Sequence, residues 1–472
     1  MNRTDYRYLV LQIVLGVAIT AYYYYPSLNN WFIWDDFWML MYSGSDAKTL
    51  FFECTNLRMF GKILGWIAYS CFGFNHVAYN EYSIAVHCLN LTLVFLLLRK
   101  ISGDAKFACV ASTIFAAMSV YCDALLWKAT VGTLTNLTFY CIILLFYLKG
   151  KESSRYYYLS LALFFLGILN KEEIASLPLM ILFLERLMPD SSGELRQTLR
   201  RVAPYGAMVV AYIAASLIVS KLKIFPQEQF ERLSRFDPLR SLFTGYSSFF
   251  LTPGGGLTSG EIVAYSLILP AVFTLALYFS KNRKMLLCGI GWVFFAYLPL
   301  SYSCSTGFNP TMLMTCISRH LYLPSIGVAI VMAAILLYSY RSLNHYTTGV
   351  VVSGVVMILI FYNAPRVHQR SAAWGWNRDS LGMRVLMREL KAAAPSFARG
   401  AYLIVDPPET GRSYMLRALR AFYQNDDVQY LSDYDRMFAN DGSKVDIRTI
   451  PALYYITNKT ETGEGVVVER IK

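Results

Sequence analysis

The sequence predicts a mainly α-helical, polytopic membrane protein. Its 472 residues are 56% hydrophobic and only 16% charged, and the mean hydropathy is +0.39. Soluble globular proteins contain about 25% charged residues, so this balance argues against a soluble fold. Apolar runs near the length that crosses a bilayer as a helix recur along the chain. The 35 tyrosines and 8 tryptophans fit the aromatic belts found at membrane interfaces.

Eleven apolar runs are the predicted membrane spans. They cover residues 8–25, 82–98, 107–120, 131–148, 156–169, 174–187, 203–219, 262–279, 285–301, 321–340 and 347–362. The shorter runs, of about 14 residues, also fit buried or re-entrant segments. Arg3 and Arg7 precede the first run and no small-residue cleavage site follows it. This pattern predicts an uncleaved signal anchor with a cytoplasmic N-terminus.

The loop charges support this topology. With the N-terminus inside, clusters of basic residues fall in the inner loops: Arg99, Lys100 and Lys106; Lys149, Lys151 and Arg155; Arg186, Arg196, Arg200 and Arg201; Lys281, Arg283 and Lys284. The short outer loops carry one basic residue each, Lys128, Lys171 and Arg319. Positive residues favour the cytoplasmic side, so the C-terminus is expected outside. The net charge of +12 then reflects topology and contact with anionic lipid, and no nucleic-acid partner is expected.

Two domains are predicted. Residues 1–363 form the membrane domain, with long outer loops at 26–81 and 221–261, and residues 364–472 form a small extracytoplasmic α/β module. The module has strand-like segments at 401–405, 453–457 and 465–469 and helical segments at 377–394 and 413–423. Within the first outer loop, residues 57–72 have the spacing of a helix lying in the membrane interface. Residues 227–260 have the polar, glycine-rich composition of a lid-like loop.

Unusual polar residues gather at the outer ends of the predicted spans. They are Asp35 and Asp36, Asp123 and Lys128, Lys171 with Glu172 and Glu173, and Arg319 with His320. A carboxylate there can act as a general base towards a hydroxyl, and Arg or Lys can hold a phosphate leaving group. The competing interpretations are solvated turns, headgroup contacts and local ion pairs, including a pair between Asp123 and Lys128.

The sequence offers little support for a metal site or a transport pathway. The nine cysteines lack C-x-x-C spacing and the five histidines lack an H-E-x-x-H pattern. Asp35 and Asp36 can join a divalent cation, but no further ligand stands at suitable spacing, so an essential metal is not favoured. Cys54 with Cys71, and Cys304 with Cys316, share outer loops where disulfides are possible. His87, within a span, is interpreted as a buried histidine bonded to a neighbouring helix.

A series of ordered motifs between residues 34 and 322 resembles the GT-C glycosyltransferases, especially TMTC-type O-mannosyltransferases and their bacterial relatives. The motifs are Trp34-Asp35-Asp36, Phe72-Gly73-Phe74-Asn75, Tyr79-Asn80, His87-Cys88-Leu89-Asn90, Phe115-Ala116-Ala117, Leu126-Trp127, Leu169-Asn170-Lys171-Glu172, Leu177-Pro178 and Arg319-His320-Leu321-Tyr322-Leu323-Pro324-Ser325. Two features depart from that family: no 34-residue tetratricopeptide repeat is visible, and His320 stands where an aromatic residue is common.

The resemblance implies a GT-C-like bundle of about eleven transmembrane helices that uses a polyprenyl- or dolichyl-phosphate sugar. One carboxylate of Asp35 and Asp36 would be the catalytic base for an inverting displacement, with Asp36 slightly favoured. Arg319, Lys171 and Lys128 are the candidate contacts to the donor phosphate. The candidate supporting residues are Glu172, His320, Tyr322 and His87.

The leading hypothesis is an enzyme that moves a monosaccharide from a polyprenyl-phosphate donor to a glycan or lipid-linked acceptor, such as O-antigen, outside the bacterial inner membrane. Alternatives within the enzyme class are a protein O-glycosyltransferase and a lipid A aminoarabinose-type transferase. A transporter or flippase predicts ionisable residues near the midplane and repeat symmetry, and neither is evident. A non-catalytic assembly protein is the third class.

Overall fold

The computed structural model describes most of the membrane part of the chain and segments of its C-terminal part. The described residues are 2–33, 35–44, 57–187, 195–222, 267–268, 270–274, 277–278, 282–300, 318–338, 345–373, 376–397, 402–406, 418–420, 422–423, 429–431, 453–459 and 465–470. Several sequence predictions lie outside these residues: the position of Trp34, the candidate lid at 227–260, most of the span at 262–279, and Cys54, Cys304 and Cys316.

The described part of the chain is mainly helical. Its helices are α1 (Arg3–Tyr24), α2 (Asp35–Gly44), α3 (Met59–Phe72), α4 (His76–Ser102), α5 (Ala105–Ala117), α6 (Asp123–Leu126), α7 (Val131–Lys149), α8 (Ser154–Ile168), α9 (Leu177–Leu187), α10 (Leu195–Leu222), α11 (Arg283–Tyr297), α12 (Tyr322–Tyr338), α13 (His345–Ala373) and α14 (Trp376–Ala393). Short 3₁₀ turns at Lys128–Thr130, Glu172–Ser176 and Ser318–Leu321 precede α7, α9 and α12. Four of the nine predicted site residues lie in these three turns: Lys128, Glu172, Arg319 and His320.

Local signals in the sequence explain several helix ends. Asn2 and Asp5 form a capping box at the start of α1, and the Asp104 carboxylate accepts two backbone N–H bonds at the start of α5. Gly103 ends α4 with φ +73°, a left-handed conformation that glycine adopts without a Cβ clash.

Five described helices are long and apolar enough to span a membrane. They lie at Arg3–Ser27, His76–Ser102, Lys128–Lys149, Ser318–Tyr338 and Thr347–Ala372. Each overlaps a predicted span. Helices also lie over five further predicted spans, but these are shorter or less apolar, so the count of eleven stays a prediction.

Two hydrophobic cores organise the described residues. The larger core unites the membrane helices, and α11 and α12 approach closely there because Gly289 faces the backbone of Gly327. The second core joins the loop before α2 to the C-terminal part: Trp31, Phe32, Phe37 and Leu40 share it with Leu386, Met387, Leu390, Leu403 and Ile456. The C-terminal part therefore packs against the segment that carries Asp35 and Asp36.

The C-terminal part contains a four-stranded mixed sheet. Its strands are β1 (Tyr402–Asp406), β2 (Gln429–Leu431), β3 (Leu453–Lys459) and β4 (Gly465–Arg470), in the order β2-β1-β3-β4. β1 runs parallel to β2 and β3, and β3 runs antiparallel to β4. β1, β3 and β4 lie where the sequence predicts strands, whereas the three-residue β2 is too short to leave a pattern. That residues 364–472 form a domain of their own stays a prediction.

Candidate active site

The carboxylate of Asp36 is held by backbone N–H groups from two different segments. Asp36 is the second residue of α2 and has no solvent-exposed surface. Its Oδ2 accepts the N–H of Ile33 at 3.0 Å, and its Oδ1 accepts the N–H of Ala129 at 2.7 Å. The first bond ties the first turn of α2 to the loop before it, and the second ties α2 to the turn before α7. Asp35, its neighbour, is only partly buried.

The pKa of Asp36 is raised to about 6. Burial is the main cause, because removal from water disfavours the charged form. The ammonium group of Lys128 and the two backbone N–H groups oppose this effect, while the charge of Asp35 adds to it. A carboxylate with this pKa is mostly ionised at neutral pH and has a higher proton affinity than an ordinary aspartate, as a general base requires.

Lys128 is buried, and its ammonium group forms hydrogen bonds that the sequence did not predict. Its side chain is 2% exposed, and its Nζ donates to the carbonyl oxygens of Asn30 at 2.8 Å and Trp31 at 3.0 Å. It therefore neither pairs with Asp123 nor presents its ammonium group to an open surface. Its place is beside Asp36, where it partly neutralises the buried carboxylate.

A second polar cluster lies at the 3₁₀ turns before α9 and α12. Glu173 is its centre: its Oε1 lies 2.5 Å from Lys171 Nζ and 3.0 Å from His320 Nδ1. Arg319 Nε lies 3.4 Å from His320 Nε2, so a neutral imidazole with its proton on Nδ1 donates to Glu173 and accepts from Arg319. Burial is the largest influence on the pKa of Glu173 and opposes its ionisation, but the charges and hydrogen bonds of Lys171 and His320 together outweigh it and lower that pKa to about 2.

The segment 127–133 connects the two clusters. The N–H of Ala129 holds Asp36, the ring of Trp127 lies under the Arg319 guanidinium at 4.6 Å, and Thr133 Oγ1 accepts from Lys171 Nζ at 2.5 Å. One short stretch of chain therefore brings the predicted base and two predicted phosphate contacts to the same end of the bundle.

Arg58 and Glu172 form an ion pair beside this cluster. Arg58 Nε donates to one carboxylate oxygen of Glu172 at 2.8 Å and Nη2 donates to the other. The N–H of Phe60 donates to the carbonyl of Leu169 at 3.0 Å, and a side chain at Gly61 would meet the Asn170 carbonyl at 3.1 Å. These contacts fix α3, the predicted interfacial helix, against the turn that carries Lys171 and Glu172.

Asp123 forms a buried ion pair with Arg370, so the expectation that it pairs with Lys128 is wrong. Arg370 Nε and Nη2 each donate to an Asp123 oxygen at 2.8 Å, and the side chains are 1% and 0% exposed. The physical reason is tertiary: the end of α13 reaches the start of α6 and supplies a bidentate partner. Arg370 lies 247 residues from Asp123 in the sequence, so no local sequence pattern predicts this contact.

His87 is bonded to a neighbouring helix, which confirms its interpretation as a buried structural histidine. Its Nδ1 lies 2.6 Å from the hydroxyl of Tyr322 on α12, and Asn90 Nδ2 also reaches that hydroxyl, at 3.2 Å. All three side chains lie within the bundle core. They join α4 to α12 below the two polar clusters.

Sequence reasoning missed several residues of this site. Glu173 was recognised as polar but not as the partner of Lys171 and His320, and Trp127 was recognised only as part of a motif. The signal that could have found Glu173 is its position in a Lys-Glu-Glu run just before an apolar span. Among the described residues, no group of three or more His, Cys, Asp or Glu side chains could hold a metal ion.

Part of the chain is similar to a known family of mannosyltransferases. Residues 59–219 match the family model described as dolichyl-phosphate-mannose-protein mannosyltransferase, a stretch that covers less than half of the chain. It includes Lys128, Lys171 and Glu172 but neither Asp36 nor Arg319. A search of curated proteins gives no significant match.

Solved structures with similar folds come from Archaeoglobus fulgidus. The oligosaccharyltransferase AglB in complex with an inhibitory peptide and a dolichol-phosphate has a TM-score of 0.52 at 11% identity, and the alignment covers 97% of this chain and 69% of AglB. The same archaeon's oligosaccharyltransferase in complex with Zn and sulfate has a TM-score of 0.50 at 11% identity, with 96% and 68% covered.

A third structure, the oligosaccharyltransferase tethered to an acceptor peptide, has a TM-score of 0.47 at 12% identity, with 91% of this chain and 64% of that one covered. The chain thus spans about two thirds of the length of these enzymes. The chain shares a fold with AglB, and residues 59–219 are similar to a mannosyltransferase family.

Proposed function

We propose that this protein transfers a monosaccharide from a polyprenyl-phosphate-linked donor to an acceptor glycan on the outer face of a bacterial inner membrane, with inversion at the anomeric carbon. The observation that carries the proposal is the buried Asp36 carboxylate, whose pKa is raised to about 6, tied through the segment 127–133 to Arg319 and Lys171. A base and a phosphate-binding cation group are the two parts that such a reaction needs.

Asp36 is the proposed base. Each of its two oxygens accepts one backbone N–H, so each keeps a second lone pair that can accept a proton. Burial protects the carboxylate from bulk water, which would otherwise compete with the acceptor hydroxyl. Asp35, on the same turn and partly exposed, is the second candidate and serves as the direct comparison in the test below.

Arg319 is the proposed main contact to the donor phosphate. Its guanidinium carbon lies 4.6 Å from the centre of the Trp127 ring, and Arg suits bidentate contact with phosphate oxygens. Lys171 is already paired with Glu173, so its charge is largely compensated before a ligand arrives. We assign Lys171, Glu173 and His320 the role of orienting Arg319, and Lys128 the role of tuning Asp36 instead of binding phosphate.

The transfer is then a single displacement. The carboxylate removes the proton of the acceptor hydroxyl, and the acceptor oxygen forms a bond to the anomeric carbon of the sugar. The bond from that carbon to the phosphate oxygen breaks on the opposite face, and the electron pair leaves with polyprenyl phosphate. Arg319 stabilises the charge that develops on the departing phosphate. The configuration at the anomeric carbon inverts.

The acceptor is the least constrained part of the proposal. A surface glycan such as O-antigen is the first candidate acceptor. Transfer to a protein is the second candidate, and the match to a protein mannosyltransferase family model over residues 59–219 favours it. Transfer of an aminoarabinose-type sugar to lipid A is the third.

The test uses full-length protein in lipid nanodiscs with synthetic undecaprenyl-phosphate sugars. Wild type, Asp35→Asn and Asp36→Asn are compared for sugar transfer to lipid-linked glycan, peptide and lipid A acceptors, and separately for donor binding. We expect Asp36→Asn to lose at least about 100-fold in kcat while donor binding persists. Loss confined to Asp35→Asn assigns the base to Asp35. Unchanged transfer in both variants refutes a carboxylate base at this turn.

The donor contact is tested in the same nanodiscs with Arg319→Gln. We expect donor binding and transfer to fall together, because the guanidinium contacts both the bound phosphate and the leaving phosphate. Lys284→Gln, a change in a predicted inner loop, is the matched control for loss of one positive charge. Equal effects of the two substitutions would show that Arg319 has no special role.

A further inference from the structure

Two adjacent residues at the end of α13 both contact the segments that build the proposed site. Arg370 holds Asp123, as described above, and Ser371 accepts a hydrogen bond from Asn30 Nδ2 at 3.1 Å. Both side chains of this second contact are buried, Asn30 at 2% and Ser371 at 3% exposure. α13 leads into α14, which packs in the second hydrophobic core against the same loop before α2.

Asn30 links this contact to Lys128. Its carbonyl oxygen accepts from Lys128 Nζ at 2.8 Å and from Asn80 Nδ2 at 3.1 Å. Asn80 Nδ2 also lies 3.1 Å from the carbonyl of Ser27 and 2.8 Å from that of Leu28. The loop before α2 thus has its backbone carbonyls fixed by two buried donors, and the Asn30 side chain is fixed from the opposite side by Ser371.

Lys128 in turn is the cation that acts most strongly on Asp36. The residue after it, Ala129, donates its N–H to the Asp36 carboxylate at 2.7 Å. A continuous set of contacts therefore runs from Ser371 through Asn30 to Lys128 and ends at the proposed base.

We propose that Ser371 and Asn30 are positioning residues that fix Lys128, and with it the adjoining Ala129, near Asp36, so that the end of α13 and the C-terminal part that follows it help to set the activity of the proposed base. This inference rests on the proposed function. It assigns these two residues no contact with substrate, and they act only through Lys128.

The effect of this positioning can be measured through the pH at which Asp36 ionises, because that pH depends on the charges around its carboxylate. The titratable groups that act on its carboxylate or feel its charge are Lys128, Asp35 on the same helix and Tyr79 on α4. Of these, Lys128 alone is held by the Asn30 carbonyl. A weaker hold on Lys128 reduces its stabilisation of the Asp36 anion, and the pH at which the base ionises rises.

The experiment records the pH dependence of kcat/KM for sugar transfer by full-length protein in nanodiscs. Ser371→Ala and Asn30→Ala are compared with wild type, with Ser371→Thr as the conservative rescue and Asp36→Asn as the inactive reference. Ser112→Ala is the matched control, since Ser112 is a buried serine whose hydroxyl contacts only carbonyls of its own helix.

The acid limb is the pH range in which kcat/KM falls as Asp36 becomes protonated. We expect this limb to move to higher pH by about half a unit in Ser371→Ala and in Asn30→Ala. At pH values below the pKa of the base, this shift corresponds to about a threefold loss of kcat/KM. In the double variant Asn30→Ala/Ser371→Ala, the acid limb should move no further than in the single variant with the larger shift, because both substitutions remove the same hydrogen bond. Ser371→Thr should restore the limb, Ser112→Ala should leave it in place, and the KM for the donor should stay at its wild-type value.

The outcomes separate the inference from the proposed function. A wild type that transfers sugar, with acid limbs unchanged in both Ser371→Ala and Asn30→Ala, overturns the inference and leaves the proposed function intact. Equal loss at every pH without a shift also overturns it, because that is the result of a merely structural role. A wild type without transfer refutes the proposed function and the inference with it.

Discussion

Removal of the guanidinium of Arg370 should destabilise the protein strongly. Arg370→Met leaves the Asp123 carboxylate, which has 0% exposure, without the two 2.8 Å hydrogen bonds that compensate its charge. Loss of one partner of a buried pair costs about 3–5 kcal/mol, because the remaining charge stays desolvated. This is a large fraction of the free energy of unfolding that a typical protein possesses.

The size of this effect depends on the charge left behind, so a second variant tests the cause. Asp123→Leu combined with Arg370→Met removes both charges and replaces them with apolar groups of similar volume. Such a replacement is often neutral or even stabilising. We therefore expect the double variant to recover most of the stability that Arg370→Met loses.

The assay is equilibrium unfolding in mixed micelles, followed by tryptophan fluorescence. Arg388→Met is the matched control, because Arg388 pairs with Glu389 on the exposed face of α14, where the side chains are 73% and 35% exposed. An exposed pair contributes at most about 1 kcal/mol. The reasoning is refuted if Arg370→Met loses no more stability than Arg388→Met, or if the double variant is as unstable as Arg370→Met alone.

Three further predictions concern the packing, the proposed base and an exposed ion pair. Gly289→Ala should lower the free energy of unfolding by about 1–3 kcal/mol, because the new Cβ would lie 2.7 Å from the Gly327 carbonyl oxygen. Gly349→Ala is the control, since a Cβ there would meet nothing within 4 Å. Equal losses in the two variants would contradict the packing argument. The kcat/KM for sugar transfer should fall as the pH drops through about 6, because the pKa of Asp36 is raised to about 6 and protonation removes the base. A kcat/KM that stays constant between pH 5 and pH 7 would contradict this assignment. Arg58→Ala should cost no more than about 1 kcal/mol, because the Arg58 and Glu172 side chains are 40% and 44% exposed; a loss above 3 kcal/mol by the same unfolding assay would show that the pair is effectively buried.

The sequence analysis places the candidate site residues at the predicted outer ends of the spans. The sequence grouped Asp36, Lys171, Glu173, Arg319 and His320 by topology alone, through the bias of basic residues towards the other loops. The structure brings all five to one end of the bundle. Span length and loop charge are local properties of the sequence, so they can group these residues without a fold; that the five form the active site stays a prediction.

The partners within that site could not be predicted in the same way. Asp123 and Lys128 stand five positions apart and suggest a local pair, yet Asp123 binds Arg370 and Lys128 binds the carbonyls of Asn30 and Trp31. Both true partners are distant in sequence, and both depend on how α13 and the loop before α2 pack on the bundle.

The sequence by itself indicated a helical membrane protein with a few acidic and basic residues at one set of span ends and most basic residues in the opposite loops. Hydrophobic run length, loop charge and the Trp34-Asp35-Asp36 motif are local properties, and they are visible without a fold. Only the tertiary structure decided which charges neutralise each other and which remain for chemistry. Burial raises the pKa of Asp36 and encloses Lys128 among backbone carbonyls. This burial arises when segments distant in sequence pack together, so it cannot be predicted from any one segment.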